Sequence, residues 1–139
     1  MNKEELKAII PHRNSMLLID GATKISEDTS VGKKTIVGDE WFLDGHFPGN
    51  PIVPGVILCE MMAQTSAVII AEKSAVSTPY FTSIEKARFK EMVRPGDTFE
   101  IECKLTKNRG MFYFIEGKGT VNGKLCVSAN FSFALIERE

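Results

Sequence analysis

Hydrophobic and polar residues alternate with a period of two through much of the second half of the chain. The segment DTFEIECKLTK (97–107) places an apolar side chain at every second position from Phe99 to Leu105, between charged or polar neighbours. This pattern is typical of a strand with one buried and one solvated face. Residues 111–121 and 124–135 are also predicted to be strands, and Asn122 followed by Gly123 favours a tight type I′ hairpin turn between them.

A second pattern, apolar on nearly every side, covers residues 56–73. This segment, VILCEMMAQTSAVIIAEK, runs for eighteen residues without Gly or Pro. A helix that is apolar nearly all round is buried on most sides, so we predict one central helix here. Because Glu60 and Gln64 interrupt its apolar stretch, it falls short of the run of about 18 apolar residues that predicts a membrane span. No membrane insertion is expected.

Shorter elements precede this helix. Asn2 with Glu5 three residues later is typical of a helix N-cap and its reciprocal glutamate, and Pro11 ends that short helix. Residues 16–19 and 31–37 are predicted to be strands. One buried helix, with strands before it and an antiparallel meander after it, predicts an α+β fold in which a sheet wraps around the helix. At 139 residues the chain is expected to form a single domain.

The composition narrows the class of protein. At 43% hydrophobic and 25% charged residues the chain is typical of a globular protein, and its net charge of −1 excludes a globally basic nucleic-acid binder. The N-terminus lacks the basic-then-apolar order of a signal peptide. The three cysteines are odd in number and lack CxxC spacing, which disfavours disulfides and a structural zinc site. We therefore expect a cytosolic protein with reduced cysteines.

The loop DGHFPGNPIVPGV (44–56) is the first candidate site. Three prolines and Gly49 fix its path, whereas an ordinary linker would stay flexible. His46, one of only two histidines, carries the side chain that takes up and releases protons near neutral pH. A histidine that only satisfies a backbone carbonyl is the alternative. His12 and Trp41 have no partner that the sequence identifies, and we interpret both as structural.

Polar groups on and before the central helix form the second candidate site. Glu60 is a carboxylate on the most apolar helix of the chain, and such a group is paired, exposed or functional. Gln64 lies four residues on, where it can hydrogen-bond and orient Glu60. The free N–H groups of Gly55 and Val56 at the helix start can hold an oxygen atom that gains negative charge. The alternatives are a solvent-facing glutamate and an ordinary helix start.

These motifs closely resemble those of the bacterial (3R)-hydroxyacyl-acyl-carrier-protein dehydratases of type II fatty-acid synthesis, in the glutamate-bearing broad-range branch. The run GHFPGNPIVPGV followed by EMMAQ is the main match. PHR with LLID after it, IEKARFK, RPGD and the closing hairpin extend the match over almost the whole chain. The resemblance implies a hot-dog fold, in which an antiparallel sheet wraps a long central helix. It also implies homodimers that assemble as trimers of dimers.

The resemblance also assigns roles to individual residues. His46 is expected to be the catalytic histidine and Glu60 the catalytic carboxylate, contributed by different subunits of the dimer. The Gly55 N–H is expected to bind the thioester carbonyl, and Tyr80 to form an aromatic gate at the acyl tunnel. The other residues expected to contact substrate are Phe47, Val56 and Gln64.

The implied reaction is the loss of water from a 3-hydroxyacyl thioester. His46 would remove the α-proton while Glu60 protonates the departing β-hydroxyl group. This chemistry needs only proton transfers, so no metal or organic cofactor is expected. Three enzymatic alternatives are a dehydratase that also isomerises the double bond, a hot-dog thioesterase and a CoA-dependent hydratase, although the last two usually lack GHFPG before the helix. A non-catalytic acyl-binding module is the alternative that is not an enzyme.

An acidic acyl carrier protein is the expected partner. We predict that it docks near the tunnel mouth on cations of the segment 86–109, which are Lys86, Arg88, Lys90, Arg94 and Arg109. The alternative is that these cations are the solvated charges of an ordinary strand face.

Overall fold

Six strands and one central helical segment make up most of residues 1–138, the part of the chain that the computed structural model describes. The helices and strands are α1 (Lys3–Leu6), β1 (Gly21–Lys24), β2 (Thr29–Thr35), α2 (Gly55–Ser66), α3 (Ala71–Ser74), β3 (Ser77–Phe89), β4 (Thr98–Arg109), β5 (Phe112–Val121) and β6 (Lys124–Glu137). Asn2 and Glu5 form the predicted capping box of α1. The strand predicted at 31–37 is present as β2, two residues earlier in the chain.

The strands form one antiparallel sheet in the order β1-β2-β4-β5-β6-β3. At the turn between β5 and β6, Asn122 and Gly123 have φ values of 51° and 78°. This is the left-handed conformation that a type I′ turn requires at both central residues, so the hairpin prediction is confirmed. The alternation predicted for β4 is also confirmed, because Phe99, Ile101 and Cys103 are all buried.

The helical segment Gly55–Ser74 packs against the inner face of the sheet. A 3₁₀ turn joins α2 to α3 within it, and Met61 and Met62 are fully buried. Gly32 in β2 allows the helix to lie close to the sheet, because a Cβ atom there would come within 2.5 Å of the Thr65 hydroxyl. The predicted α+β architecture, a sheet wrapped around one buried helix, is confirmed.

The same helix is long and apolar enough to cross a membrane by length and composition alone. The expectation that Glu60 and Gln64 make its apolar stretch too short was therefore wrong. However, 56% of its most apolar stretch is buried inside the protein, where it packs against the sheet. Burial in the core accounts for its apolar character.

The prediction of a strand at residues 16–19 is wrong. A 3₁₀ turn ends at Met16, and the next three residues are all buried, whereas a half-buried strand would alternate. The backbone N–H of Leu18 donates to the side chain of Gln64 at 3.0 Å and not to a neighbouring strand. This segment is an irregular part of the core, and β1 begins only after it.

Candidate active site

Backbone hydrogen bonds fold the loop around His46 back on itself. Phe47 and Asn50 exchange two backbone hydrogen bonds of 2.9 and 3.0 Å. The Ile52 N–H donates to the His46 carbonyl at 2.9 Å, and the Val53 N–H extends the loop's hydrogen bonds to residue 93. The path of the loop is therefore fixed by hydrogen bonds as well as by its prolines.

Glu40 anchors the segment that leads into this loop. Its carboxylate accepts hydrogen bonds from the backbone N–H groups of Val37 and Gly38 at 2.9 and 2.8 Å, and the Lys34 ammonium lies 3.2 Å away. Burial alone would raise the pKa of Glu40, but these N–H donors outweigh it and lower the pKa from 4.5 to about 2. Glu40 is thus held as a carboxylate.

The hydrogen bond of the His46 ring determines which nitrogen can act as a base. Its Nδ1 lies 2.8 Å from the carbonyl oxygen of Ile52. A carbonyl oxygen only accepts, so Nδ1 carries the proton and Nε2 of the neutral ring keeps its lone pair. The Phe47 ring stacks on the imidazole at a centroid distance of 4.1 Å. His46 does satisfy a backbone carbonyl, but that bond also leaves a nitrogen free to take a proton.

His46 opens onto a mostly apolar groove of about 490 Å³ at the start of α2. Gly55 and Val56 line the same groove, and their N–H groups donate to no residue within 1–138. Gly55 also lies against Phe89, because a Cβ atom at position 55 would come within 2.7 Å of that ring. The structure therefore places a basic nitrogen, two free N–H groups and an apolar wall around one space.

Glu60 lies in a different, smaller cavity of about 40 Å³. Its Oε2 atom accepts a hydrogen bond from Gln64 Nε2 at 3.1 Å. Gln64 is only 1% exposed, and it also donates to the Met16 carbonyl at 2.8 Å and accepts from the Leu18 N–H at 3.0 Å. With three hydrogen bonds fixing its amide, Gln64 orients Glu60 as the sequence predicted.

His12 is the partner of Glu60 that the sequence interpretation missed. Its Nε2 lies 3.2 Å from Glu60 Oε2, and its ring lines the same cavity. The two residues are far apart in the chain, on separate elements, so no spacing or periodicity of a single sequence connects them. The structural interpretation of His12 is therefore incomplete, because it contacts a predicted catalytic group.

Within one chain, the two predicted catalytic residues line different spaces. His46 lines the groove at the helix start, whereas Glu60 lines the smaller cavity together with Pro79 and Phe81 of β3. Tyr80 lies between these two β3 residues, is 57% exposed and lines neither space. Neighbouring strand residues point to opposite faces, which places its ring away from the Glu60 cavity of its own chain.

The five predicted docking cations do not form one continuous surface. Lys86 and Arg88 line an open depression on the outer face of the sheet that also contains acidic side chains. Lys90 and Arg94 are exposed beside the residues that wall the His46 groove. The β5 residue that pairs with Arg109 lies six residues along that strand from the β5 residue in register with Arg88. Arg109 therefore lies about 20 Å from Arg88 along the direction of the strands.

The cysteines and the acidic residues offer no metal site within the described part of the chain. All three cysteines are free and buried, and burial raises the pKa of the Cys59 and Cys103 thiols. Among residues 1–138, no group of three His, Cys, Asp or Glu side chains could hold a metal ion.

Two comparisons of sequence bear on the family. The protein-family model described as FabA-like domain matches residues 10–130. The protein named 3-hydroxyacyl-[acyl-carrier-protein] dehydratase FabZ from Clostridium perfringens (strain SM101 / Type A) is 40% identical over 137 residues, which cover 97% of this chain and 99% of that protein. A protein of the same name from Bacillus velezensis is 38% identical over 140 residues, with 99% of both covered.

Solved structures are similar in fold. The dehydratase heterocomplex ApeI:P from Xenorhabdus doucetiae matches with a TM-score of 0.83 at 21% identity, covering 96% of this chain and 91% of that chain. The uncharacterised protein PH1136 from Pyrococcus horikoshii matches with a TM-score of 0.66 at 16% identity, covering 88% and 86%. At these identities the likeness shows the fold alone, and it confirms the predicted hot-dog fold. By the match of its sequence over residues 10–130 and its identity to full-length relatives, the chain belongs to the FabA-like family.

Proposed function

We propose that this chain removes water from (3R)-hydroxyacyl thioesters carried on acyl carrier protein and yields trans-2-enoyl thioesters in fatty-acid elongation. It is a hydro-lyase of the 3-hydroxyacyl-[acyl-carrier-protein] dehydratase type, the activity for which its relatives are named. One observation carries the proposal. The hydrogen bond from His46 to Ile52 leaves Nε2 as a base in the groove where α2 begins.

The geometry supports a separate role for each of three groups, which act as the base, the hydrogen-bond donor to the thioester oxygen and the acid. Nε2 of His46 takes the α-proton of the substrate, and the electron pair of that C–H bond forms the new double bond. The Gly55 N–H stabilises the negative charge that develops on the thioester oxygen, aided by the positive end of the helix dipole. Glu60 gives its proton to the β-hydroxyl group, whose C–O bond breaks, and water leaves.

Single substitutions test these roles. We expect His46→Ala and Glu60→Gln each to reduce turnover by at least about 10²-fold, the lower end of what a positioned acid or base contributes. Formation of the enoyl thioester is measured by its absorbance, with unfolding curves to show that both variants fold. Near-normal turnover at either position would remove that residue from the mechanism.

The free edge of β3 supports a dimer. This strand lies at the edge of the sheet, is 13 residues long, and exposes large apolar side chains at Tyr80, Ile84 and Phe89. A long apolar strand edge that stays unpaired is a site for pairing with another chain. The opposite edge, β1, has only four residues. We therefore propose that two copies of the chain pair through β3.

Such pairing would bring the divided catalytic groups together. Pro79 and Phe81, which flank the Glu60 cavity, lie in the first half of β3, whereas Phe89 ends β3 and walls the His46 groove. Two β3 strands that pair antiparallel about a two-fold axis set the first half of one beside the second half of the other. The Glu60 of one copy then faces the His46 groove of the second copy. Trimers of such dimers remain part of the proposal.

We propose that the carrier protein docks beside the His46 groove. The enzyme itself is proposed to be cytosolic. Lys90 and Arg94 flank the groove, with Arg88 nearby along β3, and acyl carrier proteins are acidic. Arg109 lies at the other end of the strands, so the proposal now rests on the cations near the groove. The mixed charges around Lys86 are typical of an ordinary solvated strand face.

A further inference from the structure

Two nitrogen atoms contact the same oxygen of Glu60. Gln64 Nε2 donates to Oε2 at 3.1 Å, and His12 Nε2 lies 3.2 Å from that atom. Among residues 1–138, no donor contacts Oε1. Among the described residues, the buried side-chain nitrogen or oxygen without a hydrogen-bond partner is Nδ1 of His12. Oε1, which also has no partner, is therefore not fully buried and keeps some accessible surface. The two oxygens of one carboxyl group therefore have different surroundings.

The surroundings of His12 favour one protonation state of its ring. Nδ1 of His12 is buried, and no described residue offers it a hydrogen-bond partner. A proton on that nitrogen would place an unsatisfied N–H in the interior, which costs free energy, whereas a bare nitrogen costs less. The neutral ring with its proton on Nε2 satisfies the contact to Glu60 and leaves Nδ1 bare.

We propose that His12 is a positioning residue that, together with Gln64, places the transferable proton of Glu60 on Oε1. Two N–H groups aimed at Oε2 leave no room for a proton on that oxygen, because donor would face donor. The acid proton must then lie on Oε1, the oxygen with accessible surface. After the proton has left, the same two N–H groups stabilise the negative charge on Oε2.

A consequence is that the two histidines of the chain hold opposite tautomers. His46 carries its proton on Nδ1, because that atom faces the Ile52 carbonyl, and it presents Nε2 as a base. His12 carries its proton on Nε2, facing Glu60, and it leaves Nδ1 bare. One ring is thus arranged to accept a proton and the other to direct one.

The tautomers can be read directly, since the chain has only two histidines. We would label them with ¹⁵N and record long-range ¹⁵N–¹H spectra of the wild-type protein near neutral pH, assigning each ring with the variants His46→Ala and His12→Gln. The expected result is Nδ1–H for His46 and Nε2–H for His12. Nδ1–H on His12, or protons on both of its nitrogens, would overturn the proposal.

Two substitutions at position 12 separate positioning from packing. Gln retains an amide N–H near the place of Nε2, whereas Met is apolar and of similar length. We expect His12→Met to lower kcat about tenfold to a hundredfold, as the loss of a hydrogen bond to a charged group would, with KM changed less than about twofold. His12→Gln is expected to recover most of kcat. Equal losses in both variants would overturn the positioning role.

This inference rests on the proposed function for its catalytic meaning, but the two fail separately. If the wild-type protein forms no enoyl thioester, the proposed dehydration is wrong while the tautomers can still be as predicted. If the protein is active but His12 has the other tautomer, only the role of His12 is wrong. If His12→Met does not fold, the spectra of the wild-type protein still decide.

Discussion

The amide of Gln64 connects the N-terminal segment to Glu60, the carboxylate that we propose as the catalytic acid. Removal of this amide has two separable effects. Gln64→Leu keeps most of the side-chain volume but removes three hydrogen bonds, to Met16, Leu18 and Glu60. The Leu18 N–H becomes an unsatisfied donor in a buried site, which costs about 1–3 kcal/mol. The partly buried Met16 carbonyl also loses its donor. Together these losses should lower the free energy of unfolding by about 2–4 kcal/mol.

The effect on catalysis is expected to exceed what this loss of stability explains. Without Gln64, His12 is the one partner that the carboxylate of Glu60 keeps among residues 1–138, so its orientation is less well defined. A misplaced catalytic group can cost about 10²-fold in rate. We expect kcat to fall about tenfold to a hundredfold at a temperature where Gln64→Leu is fully folded, with KM little changed.

Thr65→Val is the matched control for this experiment. Thr65 is fully buried next to Gln64, and its hydroxyl donates within the helix to the Met61 carbonyl at 2.9 Å. The control should lose about 1 kcal/mol of stability and keep its kcat, because it touches neither Glu60 nor the groove. Urea unfolding gives the stabilities and steady-state kinetics give the rates. A Gln64→Leu protein with normal kcat, or a Thr65→Val protein whose kcat falls as much, would show that the Gln64 amide does not position Glu60.

Two further predictions concern charge. Because the pKa of Glu40 falls from 4.5 to about 2 on folding, its contribution to stability is present above pH 4.5 and is lost as the pH falls toward 2. Urea unfolding at pH 7 and pH 3 should therefore show a smaller loss of stability in Glu40→Gln than in the wild-type protein. An identical loss in both proteins would contradict the assigned pKa. Arg94→Glu should raise KM for the carrier-bound substrate, more so at low salt, and leave turnover of a short carrier-free thioester nearly unchanged. Arg109→Glu, about 20 Å along the strands, is its matched control, and equal effects of both would argue against docking beside the groove.

Local patterns in the sequence predicted those parts of the fold that local physics determines. Asn122 and Gly123 specify their turn through backbone conformation alone. The apolar run from 56 to 73 is buried against the sheet, as its composition predicted. Residues 16–19 were predicted wrongly because buried irregular segments and buried strands have the same composition. The length of β3 was not predicted, since its exposed edge carries apolar residues without a regular alternation.

The site was predictable only in part, for a physical reason. The motifs identified His46, Glu60 and Gln64, and the four-residue spacing on a helix was sufficient for the contact between the last two. The contact of His12 with Glu60 is tertiary, and nothing in either segment specifies it. The separation of His46 from Glu60 within one chain is likewise a property of the folded molecule.

In the proposed dimer, each active site combines His46 of one copy with Glu60 of another. Mixing the variants His46→Ala and Glu60→Gln, each expected to be inactive alone, under conditions where subunits exchange tests this arrangement. Random mixing makes half of the dimers mixed, and each mixed dimer has one intact site, so activity should recover to about a quarter of the wild-type value. Each variant incubated alone is the control, and tagged subunits report the exchange. If subunits exchange and no activity returns, the two groups do not act across copies and the shared site is wrong.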